Sequence, residues 1–299
     1  MKNNKLLKVI VSIVLMIFIA IGCYFVISDR FNDSIELTQL KNNTSMQMMG
    51  YFIKTQNGKV IVVDGGNIGD SNNLINYINF NGGKVDYWFL THFHTDHTGA
   101  ISDIIDNTDI QIDNIIHSFC DRNLVEIYEP DRLEQYDIIT NSLEKVKENI
   151  IIPVESQVFD IDNVKIEIIS VYQKDIFENL GNNTSMVFKL NVNDKTVIFL
   201  GDTGKESSEK LLNIHLNDLK SDYVQMAHHG QDGATYELYQ AIDPDYCLWP
   251  TPDWLWDNNN GGGYNSGPWK TIETREWMEN LNVKEHYIEK DGNITLKIY

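Results

Sequence analysis

The chain begins with one long apolar run and then alternates short apolar runs with polar, helix-like stretches. The first run, Val9 to Ile27, carries no charge and approaches the ~20 residues needed to span a bilayer. Residues 31–45 read as a polar linker. Lys59 to Val63 is β-branched and stops at Asp64-Gly65-Gly66, which predicts a strand running into a tight loop. A helix is expected over Asn72 to Asn79 and a buried strand over Val85 to Leu90. Gly99 to Ile105 reads as a second helix, residues 110–117 as another strand, and 121–150 as highly charged helix. Val164 to Val171 and Met186 to Leu190 read as strands, and Asp194-Lys195 turns the chain into a further strand, Thr196 to Leu200. Lys205 to Leu212 is helical in pattern, and Tyr223 to Ala227, Asp245 to Trp249, Val283 to Ile288 and Ile294 to Tyr299 complete the predicted strands.

The strands fall into two groups, each closed by helices. That arrangement predicts an α+β protein in which two mixed sheets pack face to face with helices outside, a four-layer αββα sandwich. The expected organisation is a membrane segment over 1–30, a linker over 31–45 and a single domain over 46–299. Lys2, Lys5 and Lys8 precede the apolar run and Asp29-Arg30 closes it, so the N-terminus is expected in the cytoplasm and the domain outside it. A cleaved signal peptide or a lipoprotein signal ending at Cys23 would leave the domain on the same side.

Composition changes this picture little. A net charge of −19, from 43 acidic and 24 basic residues, disfavours long nucleic acid as a partner. Three cysteines argue against a disulfide scaffold, and Cys120 and Cys247 are expected as buried free thiols.

The chemistry concentrates just after strands, where rigid scaffolds usually place reactive groups. His92-Phe93-His94-Thr95-Asp96-His97 sets three of the chain's 8 histidines and a carboxylate within six positions. His92 and His94 alternate on an extended chain, and Asp96 and His97 follow at a turn into helix, so one short segment can hold ligands for two adjacent metal ions. Asp202, in Gly201-Asp202-Thr203-Gly204, follows a strand and can bridge two cations; its competing role is to cap the helix from Lys205. His228-His229-Gly230 ends a strand as well; His228, first off the strand, is taken as the ligand, with the second histidine left for substrate. Gly181 to Ser185 offers amides and hydroxyls, Asn183 and Ser185 among them, that could complete the first site or position a phosphate. His117, His215 and His286 are expected to be structural or exposed. Residues 249–269 hold Trp249, Trp254, Trp256 and Trp269 among glycines and asparagines, and Trp254 and Trp256 are candidates to face a substrate from a lid.

Taken together, His92-x-His94-x-Asp96-His97, Gly201-Asp202 and His228-His229-Gly230 resemble the metallo-β-lactamase superfamily, and within it the extracellular hydrolase domain of ComEC-type DNA-uptake proteins. Asp64-Gly65-Gly66, Asn182 to Met186 and Asp291 to Ile294 resemble that subgroup also. The resemblance implies an αββα sandwich with His92 and His94 on a first metal, Asp96, His97 and His228 on a second, and Asp202 bridging. The chain departs from the wider superfamily where Asn182-Asn183 stands in place of a further histidine, which leaves the first site short of a strong ligand. Gln231 replaces a serine common in the subgroup, and Gly267-Pro268-Trp269 replaces a late histidine-proline pair.

One or two divalent ions are therefore expected, Zn²⁺ first and Mn²⁺ second. Such a pair lowers the pKa of a bound water to about 7 and stabilises charge growing on a substrate oxygen. The expected activity is metal-dependent hydrolysis of a phosphodiester, small or a short oligonucleotide, by a membrane-anchored extracytoplasmic domain. Asp96 or one of His228 and His229, His229 by preference, is the candidate to steer or deliver a proton. The alternatives are hydrolysis of a choline-phosphate ester, a lactam or a lactone, and a catalytically silent binding or DNA-uptake accessory role.

Overall fold

The computed structural model describes residues 15–17 and 34–299. Apart from residues 15–17, the expected membrane span lies outside them, and among the described residues no helix is long and apolar enough to cross a membrane. The strands, in chain order, are β1 Ile35–Gln39, β2 Gly50–Lys54, β3 Val60–Asp64, β4 Lys84–Val85, β5 Tyr87–Phe89, β6 Gln111–Ile112, β7 Ile115–Ile116 and β8 Ile150–Ile151. There follow β9 Val158–Ile161, β10 Val164–Ser170, β11 Val187–Val192, β12 Lys195–Phe199, β13 Tyr223–Gln225, β14 Tyr246–Trp249, β15 Glu285–Ile288 and β16 Ile294–Ile298.

These strands build two seven-stranded sheets, ordered β16-β1-β2-β3-β5-β7-β8 and β15-β14-β13-β12-β11-β10-β9, while β4 and β6 pair separately. Each sheet is antiparallel at one end and parallel at the other. In the first, β16 through β3 pair antiparallel and β3, β5, β7 and β8 parallel. In the second, β9 through β12 are antiparallel and β12 through β15 parallel.

The continuous apolar runs follow from burial of both faces. Along β3, Ile61 and Val63 point into the core between the sheets, beside Phe188 and Phe199, whereas Val60 and Val62 meet the helices outside. Along β12, Val197 and Phe199 face the inter-sheet core, and Ile198 packs outward with Leu211, Leu238 and Met278. The helices Ser71–Phe80, Thr95–Asn107, Arg122–Tyr128 and Leu133–Glu144 cover the first sheet; Lys205–Ile214, Tyr236–Ile242 and Thr271–Asn280 cover the second. Cys120 and Cys247 are buried and unpaired.

The expected linker is partly sheet. Ile35–Gln39 lies between β16 and β2, with Ile35 and Leu37 in the core, so the folded unit begins some ten residues earlier than the pattern indicated. The pattern fails there because Glu36 and Thr38 interrupt the apolar positions and the partner, β16, is the far end of the chain. The loop after β1 is pinned as well: the Asn42 amide donates to Glu289 Oε1 at 2.8 Å, and the Asn43 amide to Asp70 Oδ1 at 2.7 Å.

Glu289 is fully buried and its Oε2 has no partner. Burial pushes its carboxyl up to about 8, and Asp70 adds to the effect against the Asn42 bond and His229. The folded state therefore keeps a proton that the unfolded chain releases near pH 4.5, and stability contributed below that pH is lost as pH rises towards 8. We expect Glu289→Gln, which keeps the acceptor for Asn42, to remove a pH-dependent component on the order of 4 kcal/mol across this window. Denaturant unfolding at a series of pH values measures it; parallel stability curves for the two proteins would contradict the assignment.

Candidate metal centre

Strands β3 and β5 in one sheet, and β12 and β13 in the other, end on the same side of the sandwich, and the loops after them carry the candidate ligands. A backbone bond joins the two loop sets, the Met186 amide donating to Thr91 O at 2.8 Å, and within the second set the His228 amide donates to Gly201 O at 3.1 Å. The helix expected from Gly99 begins at Thr95, so Asp96 and His97 occupy its first turn and His94 is its N-cap.

Two groups of side chains converge there. Asp96, His97, Asp202 and His229 form one, and His92, His94 and Asp202 the other, each with its donor atoms within 4.8 Å of one another. His97 Nε2 stands 3.2 Å from Asp202 Oδ1, His229 Nε2 3.3 Å from Asp96 Oδ2 and 3.7 Å from Asp202 Oδ2, and His92 Nε2 3.8 Å from Asp202 Oδ2. Two atoms bound to one tetrahedral ion at about 2.0–2.2 Å lie about 3.3–3.6 Å apart, so these separations match ligands arranged around a cation. The Nε2 atoms of His92, His94, His97 and His229 and Asp202 Oδ1 are buried with no hydrogen-bond partner. Buried polar atoms are ordinarily satisfied, and a divalent ion is the partner this donor set fits.

The remaining ring nitrogens show why these lone pairs are free. His97 Nδ1 is 2.7 Å from Asp64 Oδ2, and Asp64 also accepts from the Thr91 amide at 2.8 Å and the Thr91 hydroxyl at 2.7 Å. His229 Nδ1 is 3.0 Å from Pro250 O. With Nδ1–H donated outward, Nε2 keeps its lone pair towards the centre. Asp202 is placed by its amide, which donates to Ser185 Oγ at 2.9 Å, and by Gln225, whose Oε1 accepts from the Leu200 and Gly201 amides at 2.8 Å each.

The electrostatics agree. Burial alone would lift the Asp202 carboxyl, yet His97 and His229 hold it well below the usual carboxylate range. Burial likewise opposes charge on His97, but Asp202 and Asp64 draw its pKa up. Asp64, Asp96 and Asp202 together call for positive charge, and bound cations meet that demand more fully than imidazolium does.

The structure exchanges the two adjacent histidines. His229 is fully buried among the ligand atoms, and His228 is half-buried on the wall of the cleft above, its Nε2 3.4 Å from Asn182 Nδ2. Order along the chain misled because both residues take left-handed backbone, φ 51° and 56°, which turns the second ring inward. Such conformations cost on the order of 1–3 kcal/mol and gather at functional sites.

Other candidates are displaced too. Asn183 is buried and faces away from the cleft: its Oδ1 accepts from the Gly204 and Ser207 amides at 3.1 and 3.2 Å, capping the helix that Asp202 was a candidate to cap. Ser185 positions Asp202 and does not reach the cleft. Trp256 packs edge-on against Trp249 at 5.2 Å with Arg275 over its ring, away from the cleft, whereas Trp254 lines it and donates to Ser45 O at 2.9 Å. His117, His215 and His286 belong to neither ligand group.

The cleft has a volume of 520 Å³, and its walls include Gln47, Asn182, His228, Arg132 and Glu129. Sequence reasoning passed over Gln47, whose Nε2 donates to Asp96 Oδ2 at 2.9 Å, and Gln225 and Glu129. A lone glutamine or glutamate carries no motif; only the folded chain brings them to the site.

Comparison with known proteins agrees with this geometry. The model of the Metallo-beta-lactamase superfamily matches residues 49–248. The metallo-beta-lactamase fold protein YhfI from Bacillus subtilis superposes with a TM-score of 0.55 at 12% identity, covering 89% of this chain and 100% of that one. CmlA, a diiron beta-hydroxylase from Streptomyces venezuelae, gives 0.54 at 10% identity, covering 88% of this chain and 54% of CmlA. Yeast PDE1 gives 0.52 at 11% identity, covering 88% and 99%. No curated protein sequence matches. At these identities the structural likeness is one of fold, and the match over residues 49–248 places this chain in the metallo-beta-lactamase superfamily.

Proposed function

We propose that this chain is a metal-dependent hydrolase that cleaves a small phosphodiester. The observation that carries the reading is the pair of ligand groups, five of whose donor atoms are buried without a partner, meeting at Asp202 on the floor of a polar cleft. Superfamily members are generally metal-dependent hydrolases, and a bound divalent pair supplies Lewis acidity and a water acidic enough to attack at neutral pH.

The chain's own residues do the rest. Gln47 holds Asp96 through Oδ2, and Gln231 Nε2 in turn donates to Gln47 Oε1 at 3.0 Å, which fixes that wall. Arg132 on the rim gives an anionic substrate a cation to meet in a molecule of net charge −19. His228, with Nδ1 3.1 Å from Asp232 O, presents Nε2 towards the cleft and is placed to meet the leaving group. His229, assigned above to a proton-transfer role, is enclosed among the ligand atoms and takes the ligand's part instead.

Two features bear on the competing substrates. A quaternary ammonium is held by several Trp, Tyr or Phe faces, and among the described cleft-lining residues Trp254 is the one residue of those types, which disfavours a choline ester. Long nucleic acid is disfavoured by the acidic surface. The apolar run Val9 to Ile27 behind Lys2, Lys5 and Lys8 supports a single-pass membrane protein with its domain outside the cytoplasm, and the closer ComEC-like affinity rests on the motifs of the loops.

The 299-residue chain in mild detergent, stripped of metal, is expected to leave bis(p-nitrophenyl) phosphate intact and to hydrolyse it once Zn²⁺ or Mn²⁺ is restored. His94→Ala should remove the restored turnover. Turnover that persists in chelator, or hydrolysis of a lactam or lactone with none of the diester, would refute the phosphodiesterase reading.

The two adjacent histidines should separate cleanly. His229→Ala should lose bound metal by elemental analysis, whereas His228→Ala should keep it and lose about 10²-fold in kcat. The reverse pattern would restore His228 as the ligand.

A further inference from the structure

The first ligand group, His92, His94 and Asp202, offers three donors where its neighbour, Asp96, His97, Asp202 and His229, offers four. We propose that Glu129 supplies the missing ligand, giving a first metal site of His92, His94, Glu129 and the shared Asp202. The inference rests on the metal-dependent reading above.

Glu129 reaches the site because of the residue after it. Pro130 disfavours helical backbone at the preceding position, and Glu129 leaves the Arg122–Tyr128 helix with φ −141° and ψ 57°. Tyr128 anchors the segment by stacking on Phe177 at 4.6 Å. Glu129 Oε2 then lies 3.6 Å from His94 Nε2, a separation that fits two ligands of one tetrahedral ion. His94 Nε2 is buried, has no hydrogen-bond partner and faces this carboxylate. The same Oε2 accepts from the Gly181 amide at 3.0 Å, which fixes its direction. A side chain at Gly181 would collide with both His94 Nε2 and Glu129 Oε2, so the glycine keeps the two donors able to share an ion.

Charge supports the same assignment. Two divalent ions bring four positive charges, and without Glu129 the first would face two neutral imidazoles and a half share of Asp202. With Glu129, whose close approach in this structure is to His94, each ion would have two histidines, one carboxylate of its own and a share of Asp202. The other nearby donor, Asn182 Oδ1, is also buried without a partner but is uncharged, so it would not offset the charge of an ion as Glu129 would.

The test is calorimetric titration of the metal-free 299-residue chain with Zn²⁺, together with the visible spectrum on loading with Co²⁺. The wild type is expected to bind two ions. Glu129→Gln keeps the acceptor for Gly181 and the side-chain shape, so the apo protein should melt with the wild type. It should nonetheless bind one ion as before and the other on the order of 10²-fold more weakly, with the matching Co²⁺ band lost. Asn182→Ala should keep both ions. Two ions bound by Glu129→Gln with unchanged affinities would overturn the proposal and leave the hydrolase reading standing, as would loss of the first ion in Asn182→Ala alone. A wild type that binds no metal would overturn both.

Discussion

The structure depends on keeping a set of strong hydrogen-bonding atoms buried and unpartnered. Each such atom costs about 1–3 kcal/mol when no ion satisfies it, and here four imidazole nitrogens and a carboxylate oxygen are withheld together. A loop on the surface would collapse onto itself and pair them. The sandwich prevents this by delivering each ligand from the end of a strand buried on both faces, where neither sheet can shift without disturbing the inter-sheet core. Around the ligands a second layer takes up the remaining valences: Asp64 and Thr91 behind His97, Pro250 O behind His229, and Ser185 and Gln225 behind Asp202. The centre is thus polar throughout yet open only inward, which is the state a cation completes.

Much of this was legible in the chain. Apolar runs such as Val60–Val63 and Thr196–Leu200 announced strands buried on both faces, and the ligands followed them directly. What the pattern missed shares a physical cause. β1 has few apolar residues and is held by β16 from the far end of the chain, a pairing that no local window contains. β7 and β8 are two residues each and sit within stretches read as one longer strand or as helix. At the site, the exchange of His228 and His229 turned on backbone dihedrals that only the folded loop fixes. Asn183 and Ser185 proved to support the loop of Asp202, since small polar residues serve loops and ligands with the same atoms.

The fold itself does not select the reaction. A diiron hydroxylase and a protein named as a phosphodiesterase superpose on this chain about equally well. Selection falls to the residues lining the cleft and to the charge presented to the ions. The Glu129-Pro130 break matters in that respect, because it places an additional carboxylate at the rim of an already acidic centre. Arg132 is the one lysine or arginine among the described residues lining that centre.

The most direct test of the account is a crystal structure of the chain grown with Zn²⁺, with anomalous diffraction recorded on either side of the zinc edge. The account predicts two anomalous peaks about 3.5–4 Å apart, one on each side of Asp202, the first within bonding distance of His92 and His94 and the second of Asp96, His97 and His229. Absence of peaks at these residues, or zinc bound only elsewhere on the acidic surface, would contradict it.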